Sequence, residues 1–231
     1  MPSTLTYHGH STFEIHAGPH RILFDPFLTS NPLATVKPDA LNPTHIFLSH
    51  AHWDHTEDVV AIAKRTNATV VSCFEIAVYL QKQGLKNTHP MNHGGSASFP
   101  FGRATMTIAF HTSSWPDGSY GGNPAGWMLE LDGPPKKTIY FAGDTALFGD
   151  MKLLGELYAI DLACLPIGDN FTMGPAHAIK AAQFLKAKGV LPLHYNTWPP
   201  IAQDPEKFAG DLRGATGIQA HPLKPGESME L

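Results

Sequence analysis

Cysteine is nearly missing from this 231-residue sequence: only Cys73 and Cys164 occur, far apart and outside any CxxC pair. A disulfide framework is therefore not expected, and a reducing cytoplasm is the expected compartment. Long apolar runs are missing too. No stretch approaches the ~20 residues of a spanning helix, so membrane insertion is not expected. The N-terminus shows no basic segment leading into an apolar one, and no signal peptide is expected. Positive charge is scarce: 16 Lys and Arg stand against 20 Asp and Glu, a formal net charge of -4, which leaves no basic footprint for nucleic acid and no polybasic membrane patch. Charged residues make up only 16% of the chain and hydrophobic ones 42%, a globular balance rather than a disordered one. The length suits one domain over residues 1–231 with a substantial core.

What the sequence does have is histidine, 14 residues of it, nearly as many as Lys and Arg together. Their placement follows the apolar pattern. The stretches "STLTYHGHSTFEIHA" and "HRILFDPF" read as strands joined by a Gly18–Pro19 turn, and "THIFLSH" as an apolar strand. "EDVVAIAKRT" has helical spacing, "ATVVSC" reads as a buried strand, and "FEIAVYLQKQG" as a helix ended by Gly84. "NTHPMNHGGSASFPFG" reads as a Gly-rich loop, followed by strands at "ATMTIAFH", "AGWMLELDG" and "KTIYFAGDT". After these, "DMKLLGELYA" and "PAHAIKAAQFLKAKG" read as helices alternating with strands at "DLACLPIGD" and "VLPLHY". The segments "DPEKFAGDLRGA" and "GIQAHPL" close the pattern. Strands with covering helices in each half imply an α/β arrangement of packed sheets rather than a simple doubly wound one.

The polar residues then fall where sites form. His50, His111, Asp144, Asp169 and His194 each sit at or just past the end of an apolar strand, where rigid strands meet exposed loops. In "HAHWDH", His50 and His52 are two apart, so continued strand geometry puts both rings on one side, able to share one cation. Asp54 and His55 follow in a turn that can aim them elsewhere, so one segment can serve two metals. Imidazole and carboxylate suit Zn²⁺, and also Mn²⁺ or Fe²⁺. The competing reading is a polar loop that happens to be rich in histidine. His45, at the far end of the strand, takes no part.

HxHxDH after an apolar strand resembles the signature of the metallo-β-lactamase superfamily. The rest of that pattern is present in order as "IAFHTSSW", "YFAGDT" and "LPLHYNTW". The stretches "GHSTF", "FDPF", "GDTALFGDMKLLGELY", "LPIGDNFTMGP" and "LPLHYNTWPPIAQDPEKF" are similar to a branch of uncharacterised metal-dependent hydrolases. The resemblance implies an αββα sandwich, two mixed sheets flanked by helices, with the site at one edge. It implies two divalent metal ions, Zn by default: His50, His52 and His111 on one, Asp54, His55 and His194 on the other, and Asp144 bridging. A water activated between the metals would attack, with Asp54 orienting it and carrying a proton. Asp25 would stand behind the ligands. His10, His93, Asn170, Met173, Asn196, Thr197 and Trp198 would line the pocket, while roles for His8 and His177 stay open.

The resemblance implies a hydrolase for a small-molecule ester, lactone or phosphoester. Its similarity to an ascorbate-phosphate lactonase and an N-acyl phosphatidylethanolamine phospholipase points toward a phosphorylated compound. Two alternatives stand beside it: a non-catalytic metal-binding sensor or scaffold of the same fold, and an RNA nuclease, which the acidic balance disfavours. A homo-oligomer is compatible with all three.

Overall fold

The computed structural model describes residues 2–231. The first half runs β1 (Thr4–Gly9), β2 (Thr12–Ala17), β3 (His20–Phe24), β4 (His45–Phe47), α1 (Trp53–Thr56), α2 (Val59–Thr66), β5 (Thr69–Cys73), α3 (Phe74–Lys82) and β6 (Thr88–Met91). The second runs β7 (Ser96–Phe99), β8 (Gly102–Ile108), β9 (Ala125–Leu131), β10 (Lys137–Phe141), α4 (Met151–Leu157), β11 (Leu162–Pro166), α5 (Pro175–Leu185), β12 (Gly189–Leu193), α6 (Pro205–Thr216) and β13 (Gln219–Ala220). A last strand, β14 (Ser228–Glu230), returns to the first sheet and pairs antiparallel with β1.

The first half supplies six strands of one seven-stranded sheet, completed by β14 in the order β14-β1-β2-β3-β4-β5-β6, and the second half makes the other, β13-β12-β11-β10-β9-β8-β7. Both begin with antiparallel hairpins, β1 to β3 and β7 to β10, and continue as parallel strands. Parallel neighbours need a crossover, and the helices lie there: α1 and α2 between β4 and β5, α3 before β6, and α4, α5 and α6 between successive strands from β10 to β13. This is the αββα sandwich of two mixed sheets that the sequence implied.

Alternation decides which face each side chain meets. On β10 and β11, Ile139, Phe141, Leu162 and Cys164 enter the layer between the sheets, while Tyr140, Ala163 and Leu165 face α4, α5 and α6. The layer between the sheets is aromatic: Phe13 stacks on Phe24 at 4.4 Å, and Phe47 meets the edge of Trp127 at 5.0 Å. Fully buried, Trp127 donates its indole N–H to the Leu48 carbonyl at 3.1 Å, a cross-sheet tie two residues before His50.

Three expectations change. "STLTYHGHSTFEIHA" is not one strand but the hairpin β1–β2, turning at His10 and Ser11. The Gly-rich "NTHPMNHGGSASFPFG" carries β6 and β7, which lie at the outer edges of their sheets. An edge strand tolerates Pro90, whose missing N–H can face away from the strand's one partner, and its alternation is weak for the same reason. β14, a short edge strand after "GIQAHPL", shows no apolar run. No helix among the described residues is long and apolar enough to cross a membrane.

Candidate metal centre

Strand ends from both sheets open on one place. His50 lies past β4, His52, Asp54 and His55 lead into and through α1, and Asp25 follows β3. From the other sheet come His111 past β8, Asp144 past β10 and His194 directly after β12. His10 sits at the β1–β2 turn, and its carbonyl accepts from the His194 N–H at 2.8 Å, joining the two sheets beside the site.

The backbone is strained where it aims these side chains. His10, Asp25 and His194 have φ of 57°, 40° and 54°. Residues with a Cβ rarely adopt this left-handed region, and holding one there costs of order 1–3 kcal/mol. The reversal takes the chain out of the strand and leaves the side chain at the rim. Asp144 is placed by a glycine instead. Gly143 has φ 61°, and a Cβ there would lie 2.5 Å from the Ala125 carbonyl oxygen and 2.9 Å from the Ser49 Cβ.

The ligand-type atoms form two sets. Nitrogens of His50, His52 and His111 lie within 4.8 Å of one another, as do atoms of His10, Asp54, His55 and His194. His50 Nε2 and His52 Nδ1 are 2.9 Å apart. Asp144 Oδ2 stands between the sets, 3.0 Å from His194 Nε2, 3.4 Å from His55 Nε2 and 3.6 Å from His111 Nε2.

Hydrogen bonds behind the cluster set the tautomers. Asp25, fully buried, accepts the Ser49 N–H at 2.7 Å on Oδ1; its Oδ2 accepts the Ser49 hydroxyl and, at 2.8 Å, the His55 Nδ1–H. With its proton given to Asp25, the Ser49 oxygen accepts from His50 Nδ1, 2.8 Å away. Both rings therefore carry a proton on Nδ1 and turn Nε2 toward the cluster. The same logic fixes His10: Thr197 Oγ1 donates to Nδ1 at 2.8 Å, and Nε2–H donates to Asp54 Oδ2 at 3.1 Å.

Burial holds His50 well below the usual imidazole range, and it lowers His10 to about 3, with His194 beside it adding to the effect. Burial works against charge on Asp144 too, but His194 and His55 outweigh it and keep the carboxyl well below its usual range. For Asp54, burial is likewise overcome by His55 and His10. His55 moves the other way: burial lowers it, but the Asp144 and Asp54 carboxylates raise it well above an ordinary histidine. Three carboxylates thus share a site in which no Lys or Arg forms an ion pair with them among the described residues. His55 Nε2 and Asp144 Oδ1 are buried with no hydrogen-bond partner. A buried acceptor left bare is costly. Imidazoles held neutral at His50, His52 and His111, with carboxylates whose charge is met by His55 and no Lys or Arg, fit divalent cations of the Zn²⁺, Mn²⁺ or Fe²⁺ kind, which would take the place of the His55 proton.

The cluster forms the floor of a cavity of about 480 Å³, reached by His52, Asp54, His111, Asp144 and His194. Trp198 lines it as expected. His93, Asn170 and Asn196 do not. His93 turns away to the Pro124 carbonyl at 2.9 Å, and the Asn196 side chain accepts from the Gln203 N–H in its own turn. Asn170 is exposed, with left-handed φ of 52° in the turn after β11. Met173 packs into the helix-side core, Thr197 reaches His10 instead of the cavity, and His177 is exposed on α5. Trp53, Thr112, Phe171 and Pro200 also line the cavity and were not foreseen. Trp53 lies inside the HxHxDH motif itself, the one signal that could have pointed to it. Ser49, beside His50, was likewise silent.

A family model for the beta-lactamase superfamily domain matches residues 20–195. The chain is 51% identical to the UPF0173 metal-dependent hydrolase YtkL of Bacillus subtilis over 232 aligned positions, covering 98% of this chain and 99% of that one. A UPF0173 metal-dependent hydrolase of Bacillus cereus is 50% identical over the same span. Among solved structures, Igni18, a metallo hydrolase from the hyperthermophilic archaeon Ignicoccus hospitalis, superposes with a TM-score of 0.90 at 36% identity, covering 100% of this chain and 99% of its own.

Proposed function

Because the chain belongs to the beta-lactamase superfamily, among the UPF0173 metal-dependent hydrolases, we propose that it hydrolyses an ester, lactone or phosphoester bond of a small molecule with two divalent metal ions, Zn by default. His50, His52 and His111 would hold one ion and Asp54, His55 and His194 the other, with Asp144 available to both. When bound, such ions would supply a water of lowered pKa and polarise the substrate oxygen. The chain's own residues do the rest. Asp25 and Ser49 lock the tautomers of His50 and His55, so neither ring must reorient to accept its ion. Asp54, ionised and with Oδ2 steadied by the His10 Nε2–H, would orient the attacking water and pass its proton on to the leaving group. The two buried, unpaired cysteines support a cytoplasmic setting.

The observation that carries this reading is Asp144 Oδ2, within 3.6 Å of Nε2 on His55, His111 and His194, residues drawn from both sets. Asp144→Ala should lower bound metal from two ions per chain to one or none, measured by elemental analysis. It should cut kcat/KM on p-nitrophenyl acetate or bis-p-nitrophenyl phosphate by more than about 100-fold. Full metal content and activity in that variant would overturn the bridging role.

A further inference from the structure

This inference rests on the hydrolase reading and concerns what the enzyme cleaves. We propose that the scissile bond carries an uncharged, apolar group, an acyl chain or aryl ring, that lies against Trp53 and extends beyond it, and that phosphorylated compounds are poor substrates.

The walls of the cavity carry the argument. Above the cluster it is lined by Trp53, Phe171, Trp198 and Pro200, and no Lys or Arg lines it. Trp53 is 44% exposed and Phe171 55%, large apolar surface left in water at the mouth of a site. The rings are braced, not loose. Phe27 meets the edge of Trp53 at 4.9 Å and lies 6.0 Å from Trp198, and the two indoles are 5.9 Å apart. A wall set in advance loses little freedom when a ligand covers it.

The surface does not stop at Trp53. A second cavity of about 360 Å³ also has Trp53 in its wall, with Val60, Tyr79, Trp115 and Pro116 facing the polar Glu57 and Gln83, and Tyr79 stacked on Trp115 at 3.8 Å. Trp53 is thus a shared wall, and a chain leaving the cluster across it meets the apolar side of the second cavity, Val60, Tyr79, Trp115 and Pro116. Charge is the third observation. A phosphate set away from the metals is ordinarily held by Arg, Lys or backbone N–H groups. Asp54 and Asp144 are committed to the metals, and the charged side chain beyond them is Glu57 in the second cavity, so an anionic tail would meet a carboxylate and no Lys or Arg.

The test uses metal-loaded, full-length protein. kcat/KM is measured for p-nitrophenyl acetate, butyrate and octanoate, and for the mono-p-nitrophenyl ester of suberic acid, which puts a carboxylate at the end of an eight-carbon chain. A rise of roughly two- to fourfold per methylene is expected, with the suberate ester at least about tenfold below octanoate. The octanoate-to-acetate ratio should fall about tenfold in Trp53→Ala and in Phe171→Ala. It should hold in Leu157→Ala, a still more exposed apolar residue on α4 that lines neither cavity. A flat chain-length profile, or a preference for the suberate ester, overturns the proposal.

A binding arm separates the two readings. 2-Undecanone, an uncleavable ketone, should quench tryptophan fluorescence more strongly than 2-pentanone, and less so in Trp53→Phe. Length-dependent quenching without hydrolysis of any ester would sink the hydrolase reading and leave the apolar wall standing. Ester hydrolysis with no length dependence and no quenching would do the reverse.

Discussion

Asp25 touches no substrate, yet it governs two histidines at once. Its Oδ2 accepts from His55 directly, and through Ser49 it sets the tautomer of His50. Asp25→Asn replaces one acceptor oxygen with an NH₂ donor, which faces the hydroxyl and ring N–H that Oδ2 now receives. One histidine must turn or change tautomer. Metal affinity should fall by about 10- to 100-fold, read by competition with a chelating dye, while the far-ultraviolet circular dichroism stays native. An affinity within twofold of the parent would show that the tautomers are set elsewhere. At this scale the sequence was informative about the residues that could hold metal, because imidazole and carboxylate have few other uses at the ends of apolar strands. It was silent about Ser49 and Phe171. A serine or phenylalanine is ordinary until its partner is known, and those partners, Asp25 and the cavity mouth, come from other elements.

At the scale of elements, the fold legible in the sequence is the one its apolar runs describe: β4, β5, β8 to β12 and the helices between them. What was not legible are β6, β7 and β14, and the break of the first stretch into β1 and β2. Edge strands bury one side only, and the β1–β2 turn carries a single glycine, Gly9, beside a left-handed His10 that nothing in its residue type marks. The expected pocket residues His93, Asn170 and Asn196 failed for a related reason. They were placed by closeness in sequence to the motifs, whereas the turns that carry them use their side chains and backbone within the loop. The connection after β10 shows how tightly such an end is built. Gly143→Ala would set a Cβ against the Ala125 carbonyl and the Ser49 side chain at a left-handed φ. The left-handed conformation alone costs about 1–2 kcal/mol, and the contacts add to it. The expected result is a fall in Tm together with weaker metal binding, since Ser49 and Asp144 both shift. A variant with parental Tm and metal affinity would show that the loop can yield.

For the whole molecule, acid should act through a histidine outside the cluster. His8 on β1 is 4% exposed with neither ring nitrogen hydrogen-bonded, and burial, with nearby His16 adding to it, lowers its pKa to about 4. The unfolded chain binds this proton below its ordinary pKa of about 6.5, and the folded one only near 4. Stability from this residue is therefore complete above about 6.5 and is lost as pH falls toward 4. Between pH 7 and pH 5 the loss is about 2 kcal/mol. His8→Gln should flatten that part of the pH profile of chemical denaturation, whatever it does to stability at pH 7. An unchanged slope would show that His8 is not the group responsible.

The two sheets meet at the cluster through residues that are neighbours only after folding. His50 and His52 come from one sheet, His111, Asp144 and His194 from the other, and more than half of the chain separates the first from the last. An ion shared among them is then a removable cross-link. It closes one of the longest loops in the protein, much as a disulfide would, in a chain whose two thiols sit apart and buried. Stripping the metal would loosen the seam between the halves before it disturbed either sheet. Hydrogen exchange should therefore quicken first in the turns after β4, β10 and β12, while the strands behind them stay protected.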